Sequence, residues 1–182
     1  MPTNRKEGCH DTTEKEKKMK VAVVYFSHEG NTKYIAEKIA RELDAVIIPL
    51  LPVKEYPIGN ISKFFWGGKS TTFKEKPKLK VYPFDAGNFD LVILGTPIWA
   101  GTFTPPLRTF LRENKLTGKK VALFVSCSGG SAEKCFAHLE KEISDCTVLS
   151  TLRLIEPVKN ADPENNIRIV DFCTKLKFAL IK

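Results

Sequence analysis

Residues 21–43, VAVVYFSHEGNTKYIAEKIAREL, contain a strand, a loop and a helix, and they decide the fold class. The run Val21–Phe26 is apolar throughout, as expected for a strand that is buried on both faces of a parallel sheet. Apolar residues then recur every four positions and predict one buried stripe along a helix over Asn31–Leu43 (Ile35, Ile39 and Leu43). A buried strand that leads directly into an amphipathic helix is the repeating unit of α/β folds.

The same alternation continues along the chain, with four more strand-like runs. They are Ala45–Leu51, Phe89–Gly95, Val121–Ser126 and Thr147–Leu154. Pro49 lacks the amide hydrogen that an interior strand needs, and the last run is more polar, so the second and fifth strands are expected at the sheet edges. Five strands that alternate with helices predict right-handed crossovers and helices on both faces of one parallel sheet.

Three of the later helices are preceded by helix-start signals. Thr104 offers a capping hydroxyl before Pro105, Ser131 can cap the next helix, and Asp162-Pro163 opens the last one. Apolar residues are expected on the buried sides of these helices (Leu107, Phe110 and Leu111; Ala132, Phe136, Leu139 and Ile143; Ile169, Val170, Cys173, Leu176 and Leu180). Between residues 52 and 83 the pattern predicts only one irregular helix, interrupted at Gly67-Gly68.

Length and composition indicate one globular domain. Of 182 residues, 42% are hydrophobic and 27% charged, which excludes disordered, collagen-like and coiled-coil chains, and no run of eighteen apolar residues could span a membrane. Residues 1–19 are charged and lack the apolar segment of a targeting signal, so we expect a mobile tail before a domain over residues 20–182. Five cysteines without a CxxC pair favour reduced thiols and a cytoplasmic location.

The net charge of +8 favours an acidic partner or surface. Between residues 63 and 80, six lysines face one acid, Glu75. This basic stretch either forms a solvated surface, or docks an acidic redox protein, or attracts the phosphates of a nicotinamide nucleotide. No helix-turn-helix, finger or aromatic-basic platform is present, so no nucleic-acid partner is expected, and no histidine–cysteine spacing predicts a metal site.

Three loops at the carboxyl ends of predicted strands carry the most informative residues, because ligands of open parallel sheets bind there. Ser27–Thr32 combines hydroxyls, a glycine and the exposed amides of a helix start, which suit a phosphate. Trp99 stands at a loop tip, where it either folds back onto the core or offers a flat face to a planar ligand. The small residues of Cys127–Gly130 allow a ligand edge to approach the backbone closely.

These loops resemble those of the flavodoxin family. The family's phosphate-binding loop, Ser/Thr-x-x-Gly-Asn-Thr, and its first helix are similar to YFSHEGNTKYIAEKIA at residues 25–40. Its isoalloxazine loop is similar to LVILGTPIWAGTFTPPLRTFL at residues 91–111, and its third loop to VALFVSCSGGS at residues 121–131. The resemblance runs from about Lys20 to the C-terminus and implies a flavodoxin-like three-layer αβα sandwich. The implied sheet has five parallel strands in the order 2-1-3-4-5, and an uninterrupted fifth strand resembles the short-chain members.

The resemblance also implies FMN as the cofactor and a set of residues that bind it. The phosphate would be held through amides and through the hydroxyls of Ser27 and Thr32, within the set Ser27, His28, Glu29, Gly30, Asn31 and Thr32. The ring system and ribityl chain would contact Thr96, Pro97, Ile98, Trp99, Ala100 and Gly101. The pyrimidine edge would meet the backbone of Cys127, Ser128, Gly129 and Gly130.

Three features depart from the family's pattern. Glu29 stands where many relatives carry threonine, so its carboxylate is expected to point away from the phosphate. The third loop has no tyrosine, which leaves one flavin face either uncovered or covered by Trp66 or Phe103. The chain is also basic, whereas familiar flavodoxins are acidic, so their usual partners are not expected here.

The resemblance implies an FMN-binding electron-transfer protein whose partner is a redox protein or a small-molecule donor or acceptor. An alternative is an FMN-dependent oxidoreductase that passes hydride from NAD(P)H to a quinone or another acceptor. A third hypothesis is a non-redox module whose flavin site has decayed. Replacing Thr32 by alanine is expected to weaken FMN binding and to spare the fold, because only a phosphate contact would be lost.

Overall fold

A five-stranded parallel sheet forms the centre of the computed structural model, which describes residues 19–56, 76–160 and 162–181. The strands lie in the order β2-β1-β3-β4-β5, and each is parallel to its neighbours. Their bounds are Val21–Tyr25 (β1), Val46–Pro49 (β2), Leu91–Pro97 (β3), Lys120–Cys127 (β4) and Thr147–Ile155 (β5). This order and the parallel pairing confirm the predicted fold class.

Helices cover both faces of the sheet and make it the middle of three layers. Within the described residues they are Asn31–Leu43 (α1), Pro105–Glu113 (α2), Glu133–Glu142 (α3) and Pro163–Ile181 (α4), with a 3₁₀ turn at Ala86–Asn88. Successive β1 side chains enter different core clusters, one shared with α1 and α4 and the other with α2 and α3. None of these helices is both long and apolar enough to cross a membrane.

The strands at the sheet edges are the two that sequence predicted. β2 ends at Pro49, and three of its four residues are exposed (Val46, Ile47 and Pro49). β5 pairs only with β4, and most of its side chains are half-buried or exposed. A bulge at Leu149, between the pairs Val121–Val148 and Ala122–Ser150, interrupts their register.

The predicted start of β3 at Phe89 is wrong by two residues. The Asp85 carboxylate accepts a hydrogen bond from the Gly87 amide at 2.8 Å and begins the 3₁₀ turn, whose C-cap is Phe89. Asp90 then accepts a bond from the Lys20 amide at 2.9 Å, so pairing with β1 begins only at Leu91. The strand also continues past its predicted end at Gly95, to Pro97.

The helix-start predictions have mixed outcomes. Ser131 was expected to cap α3, but the N-cap is Ala132; Ser131 Oγ instead accepts a hydrogen bond from the Glu133 amide at 3.1 Å, in the turn just before the helix. Thr104 precedes α2, but its hydroxyl makes no capping bond, and that prediction is wrong. Val170 was expected to be buried in the last helix, yet 46% of its surface is exposed.

Several predictions fall outside the described residues, including the charged tail at 1–18 and the irregular helix with its Gly67-Gly68 interruption. The two ends of that segment are joined by an isolated antiparallel bridge between Pro52 and Leu79. Of the basic stretch, Lys76, Lys78 and Lys80 are described, and Lys80 Nζ lies 3.6 Å from Glu55 Oε1 in an exposed ion pair. The four described cysteines are free thiols (Cys127, Cys135, Cys146 and Cys173).

Candidate functional site

The loop between β1 and α1 forms a cradle of hydrogen-bond donors. Gly30 has a φ of +90°, which glycine adopts without strain, and no side chain caps the helix that begins after it. Ser27 Oγ and His28 Nε2 are both buried and have no hydrogen-bond partner within the described part of the chain. Because buried polar groups are normally paired, such donors at a helix N-terminus fit a phosphate. Of these two groups, the Ser27 hydroxyl belongs to the set that the resemblance implies for the FMN phosphate, and that assignment stays a prediction.

Thr32 is held inside the protein by a residue from another strand. Its Oγ1 lies 2.8 Å from Ser126 Oγ on β4, and both side chains are buried. The hydroxyl pair therefore ties α1 to the interior strand β4, whichever oxygen donates. The expectation that Thr32→Ala removes only a phosphate contact is wrong, because that change also breaks this bond.

The loop between β5 and α4 contacts the start of α1, which sequence reasoning did not anticipate. The Val158 amide donates to Asn31 Oδ1 at 3.1 Å and anchors this loop to the start of α1. The Lys159 pKa is raised, chiefly by its 2.9 Å hydrogen bond to Glu156 and to a lesser extent by the charge of Glu29. The exposed Glu29 carboxylate thus has a compensating cation nearby. Only the polar composition of residues 156–162 hinted at this contact.

The loop after β3 contains a tight hairpin at residues 99–102. Trp99 and Thr102 exchange two backbone hydrogen bonds of 2.9 and 3.0 Å. The two residues between them have positive φ values, 44° at Ala100 and 76° at Gly101, as a type I′ turn requires. Glycine accepts this conformation freely, whereas alanine is strained in it. The Ile98 amide also donates to Ser126 O at 2.9 Å and holds the loop against β4.

The Trp99 indole is packed into the core, which is the first of its two predicted alternatives. Only 8% of its surface is exposed. It meets Phe26 and Tyr56 edge-to-face at centroid distances of 5.6 and 5.2 Å, and His28 in the same manner at 6.1 Å. Tyr56 is an aromatic neighbour that sequence reasoning missed, since it lies in a loop without a periodic pattern.

Of the two side chains expected over the second flavin face, one is described. Phe103 is 1% exposed, and the Arg108 guanidinium lies 4.3 Å from its ring centroid. It is a core residue, so the expectation that it covers a flavin face is wrong. Trp66, the other candidate, lies outside the described residues.

Thr96 positions the loop from within. Its hydroxyl donates to Pro97 O at 2.9 Å and accepts a hydrogen bond from the Thr104 amide at 3.1 Å. The Thr104 hydroxyl lies 2.9 Å away, and it must be the donor of that pair because the single hydroxyl hydrogen of Thr96 is already used. This bond explains why Thr104 does not cap α2. It also leaves the Thr96 side chain without a free donor for a ligand.

The third loop lies beside the other two, as expected from the order of the strands. Cys127 is half-buried, and its carbonyl accepts a hydrogen bond from the Glu156 amide at 2.9 Å. Residues 128–130 are exposed, and the Gly130 carbonyl accepts a hydrogen bond from the Arg153 guanidinium. The carboxyl ends of β1, β3 and β4 thus bring all three predicted loops to one edge of the sheet.

Comparison with known proteins identifies relatives of this arrangement. The family model for flavodoxin matches residues 20–162, whereas no curated protein matches the chain. A candidate flavoprotein from Bacteroides eggerthii is 27% identical, with a TM-score of 0.65, over 78% of this chain and 94% of its own.

Two further solved structures share the fold. A candidate flavoprotein from Bacteroides uniformis is 21% identical, with a TM-score of 0.72, over 87% of this chain and 99% of its own. A flavoprotein from Lactobacillus acidophilus, solved in complex with FMN, is 24% identical, with a TM-score of 0.63, over 78% and 97%. With the family model covering the sheet, its three loops and most of its helices, the chain belongs to the flavodoxin family.

Proposed function

We propose that this protein is an FMN-dependent electron carrier. The observation that carries the proposal is the cradle between β1 and α1, where Ser27 Oγ and His28 Nε2 are buried without partners beside an uncapped helix start. When bound, FMN supplies the redox chemistry, while the protein binds it, orients it and sets its access to water. The chain's membership of the flavodoxin family makes FMN the expected occupant.

Each of the three loops has a distinct part in this proposal. The cradle binds the phosphate through the Ser27 hydroxyl, the His28 ring and the amides at the start of α1. Residues 96–101 and 127–130 are proposed to contact the ring system through backbone groups, because these loops lie on the neighbouring strands β3 and β4. Since the Trp99 indole is largely buried, we expect it to contribute a narrow contact and not a broad stacking face.

A second candidate function is an FMN-dependent oxidoreductase that uses NAD(P)H and a quinone or similar acceptor. A groove lined by cationic side chains next to the 99–102 hairpin favours it, because such a groove would attract a phosphorylated donor. A redox partner protein and a cytoplasmic location remain predictions for either function, to be tested by pull-down and by cell fractionation.

The decisive experiment is a visible absorption spectrum of the purified protein, followed by FMN titration of the apoprotein. We expect a flavin spectrum and stoichiometric binding. A protein that stays colourless and does not bind added FMN would refute both functions. Stepwise chemical reduction then separates them: two one-electron stages without NAD(P)H consumption support a carrier, and sustained NAD(P)H oxidation with a quinone supports the oxidoreductase.

A further inference from the structure

A groove with a volume of about 660 Å³ lies between α2 and α3 and extends to the 99–102 hairpin. Ala100 and Thr102 form that end, so the groove adjoins the loop proposed to contact the flavin. Its volume falls within the range of pockets that hold small molecules. An open groove of this volume can hold a compact ligand.

The walls of this groove carry mainly positive charge. Arg108 and Arg112 are one helical turn apart on α2, and Lys134 and Lys141 face them from two turns of α3. The single carboxylate in the lining, Glu142, lies 2.6 Å from Arg108 Nη1 and is already paired. Arg112, Lys134 and Lys141 have no carboxylate partner within the lining, so they favour an anionic ligand, and guanidinium groups suit phosphate oxygens in particular.

Two contacts hold the groove in shape before any ligand arrives. The Arg108 guanidinium is stacked over Phe103, only 16% of its side chain is exposed, and its buried Nε has no acceptor among the described residues. His138 Nδ1 lies 3.0 Å from Thr102 Oγ1 and joins α3 to the hairpin. Arg108 and the hairpin are therefore fixed before a ligand binds, which lowers the entropic cost of binding.

We propose that this groove binds the phosphate groups of a phosphorylated small molecule, the chemical class that includes the nicotinamide nucleotides. Its position beside the hairpin would hold such a molecule next to the flavin loop, where it could serve as the electron donor. That role rests on the oxidoreductase function proposed above, whereas the binding of phosphate groups does not.

The test is titration of the FMN-loaded protein with inorganic pyrophosphate, followed by calorimetry and by amide chemical shifts. We expect binding that weakens steeply with added salt, with the largest shifts at Thr102, Lys134 and His138. The groove variant Arg112→Gln/Lys134→Gln should bind pyrophosphate at least tenfold more weakly. The control Arg41→Gln/Lys175→Gln removes the same charges from the opposite face of the sheet and should change binding less than twofold.

Three results would overturn the proposal. These are no pyrophosphate binding at low salt, equal losses in the groove and control variants, and tight binding of a glutamate-rich peptide to the groove without binding of pyrophosphate. The last result would identify a docking surface for an acidic protein. FMN occupancy is followed separately by its visible absorbance, and pyrophosphate is also titrated into the apoprotein. Loss of the proposed flavin function is therefore distinguishable from loss of the groove site.

Discussion

Replacing Ser27 by alanine should have opposite effects on folding and on cofactor binding. Ser27 Oγ is buried without a hydrogen-bond partner among the described residues, so the apoprotein already bears the cost of its desolvation. An unpaired buried hydroxyl costs about 1–3 kcal/mol, part of which is offset by the packing that the side chain provides. We therefore expect the free energy of unfolding of the apoprotein to stay constant or to rise by up to about 1 kcal/mol.

FMN binding should weaken in the same variant. A hydrogen bond to a charged group contributes about 1.5–3 kcal/mol, which corresponds to a dissociation constant that is roughly 10- to 150-fold higher. Riboflavin lacks the phosphate, so its affinity should be the same for the variant and the unmodified protein. This difference between two ligands separates a phosphate contact from a general disturbance of the flavin site.

The assays are urea denaturation of the apoprotein and quenching of flavin fluorescence with both ligands. Ser126→Ala is the matched control, because Ser126 Oγ is also buried but has Thr32 Oγ1 as a partner at 2.8 Å. Its loss should lower the free energy of unfolding by about 1–3 kcal/mol. The reasoning is refuted if Ser27→Ala destabilises the apoprotein as much as this control does, or if it weakens riboflavin and FMN equally.

Three more predictions concern the packing around the site. Thr32→Val and Ser126→Ala should each lower the free energy of unfolding in urea denaturation. The loss in their double variant should be about 1 kcal/mol smaller than the sum of the two single losses, because both variants remove the same bond. Additive losses would contradict that bond. Ala100→Gly should raise the melting temperature because it relieves a strained φ of 44°. The control Ala137→Gly, on the exposed side of α3, should instead lower the free energy of unfolding by about 1 kcal/mol. Destabilisation by both variants would exclude the strain at Ala100. Burial raises the pKa of the Cys135 thiol from 9.0 to about 12, so the unfolded thiol ionises first as the pH rises. The free energy of unfolding should therefore fall above about pH 9, by about 1 kcal/mol for this group near pH 10. A urea midpoint that is constant or higher at that pH would contradict this prediction.

The elements that sequence predicted well are those with a local signal. The helix over Asn31–Leu43 was predicted with its observed bounds, because both of its signals are local. These are the apolar period of the helix and the glycine directly before it, Gly30. β3 was misplaced because Phe89 looks like a strand residue, while the hydrogen bonds of Asp85 and Asp90 start the strand later. Thr104 was misassigned for a similar reason. A threonine before two prolines is typical of a helix cap, but here its hydroxyl is bonded to the buried Thr96 and cannot cap the helix.

Sequence alone determined that this is a parallel α/β protein with its informative loops after β1, β3 and β4. It could do so because hydrophobic periodicity and loop composition are properties of short stretches of chain. Only the tertiary structure decided which side chains in those loops remain available to a ligand. It paired Thr32 with Ser126, a residue 94 positions away, turned Trp99 into the core and left Ser27 buried without a partner. It also brought the cations of α2 and α3 to one groove. These outcomes depend on which distant groups compete for the same donors and the same space, and no local pattern records that competition.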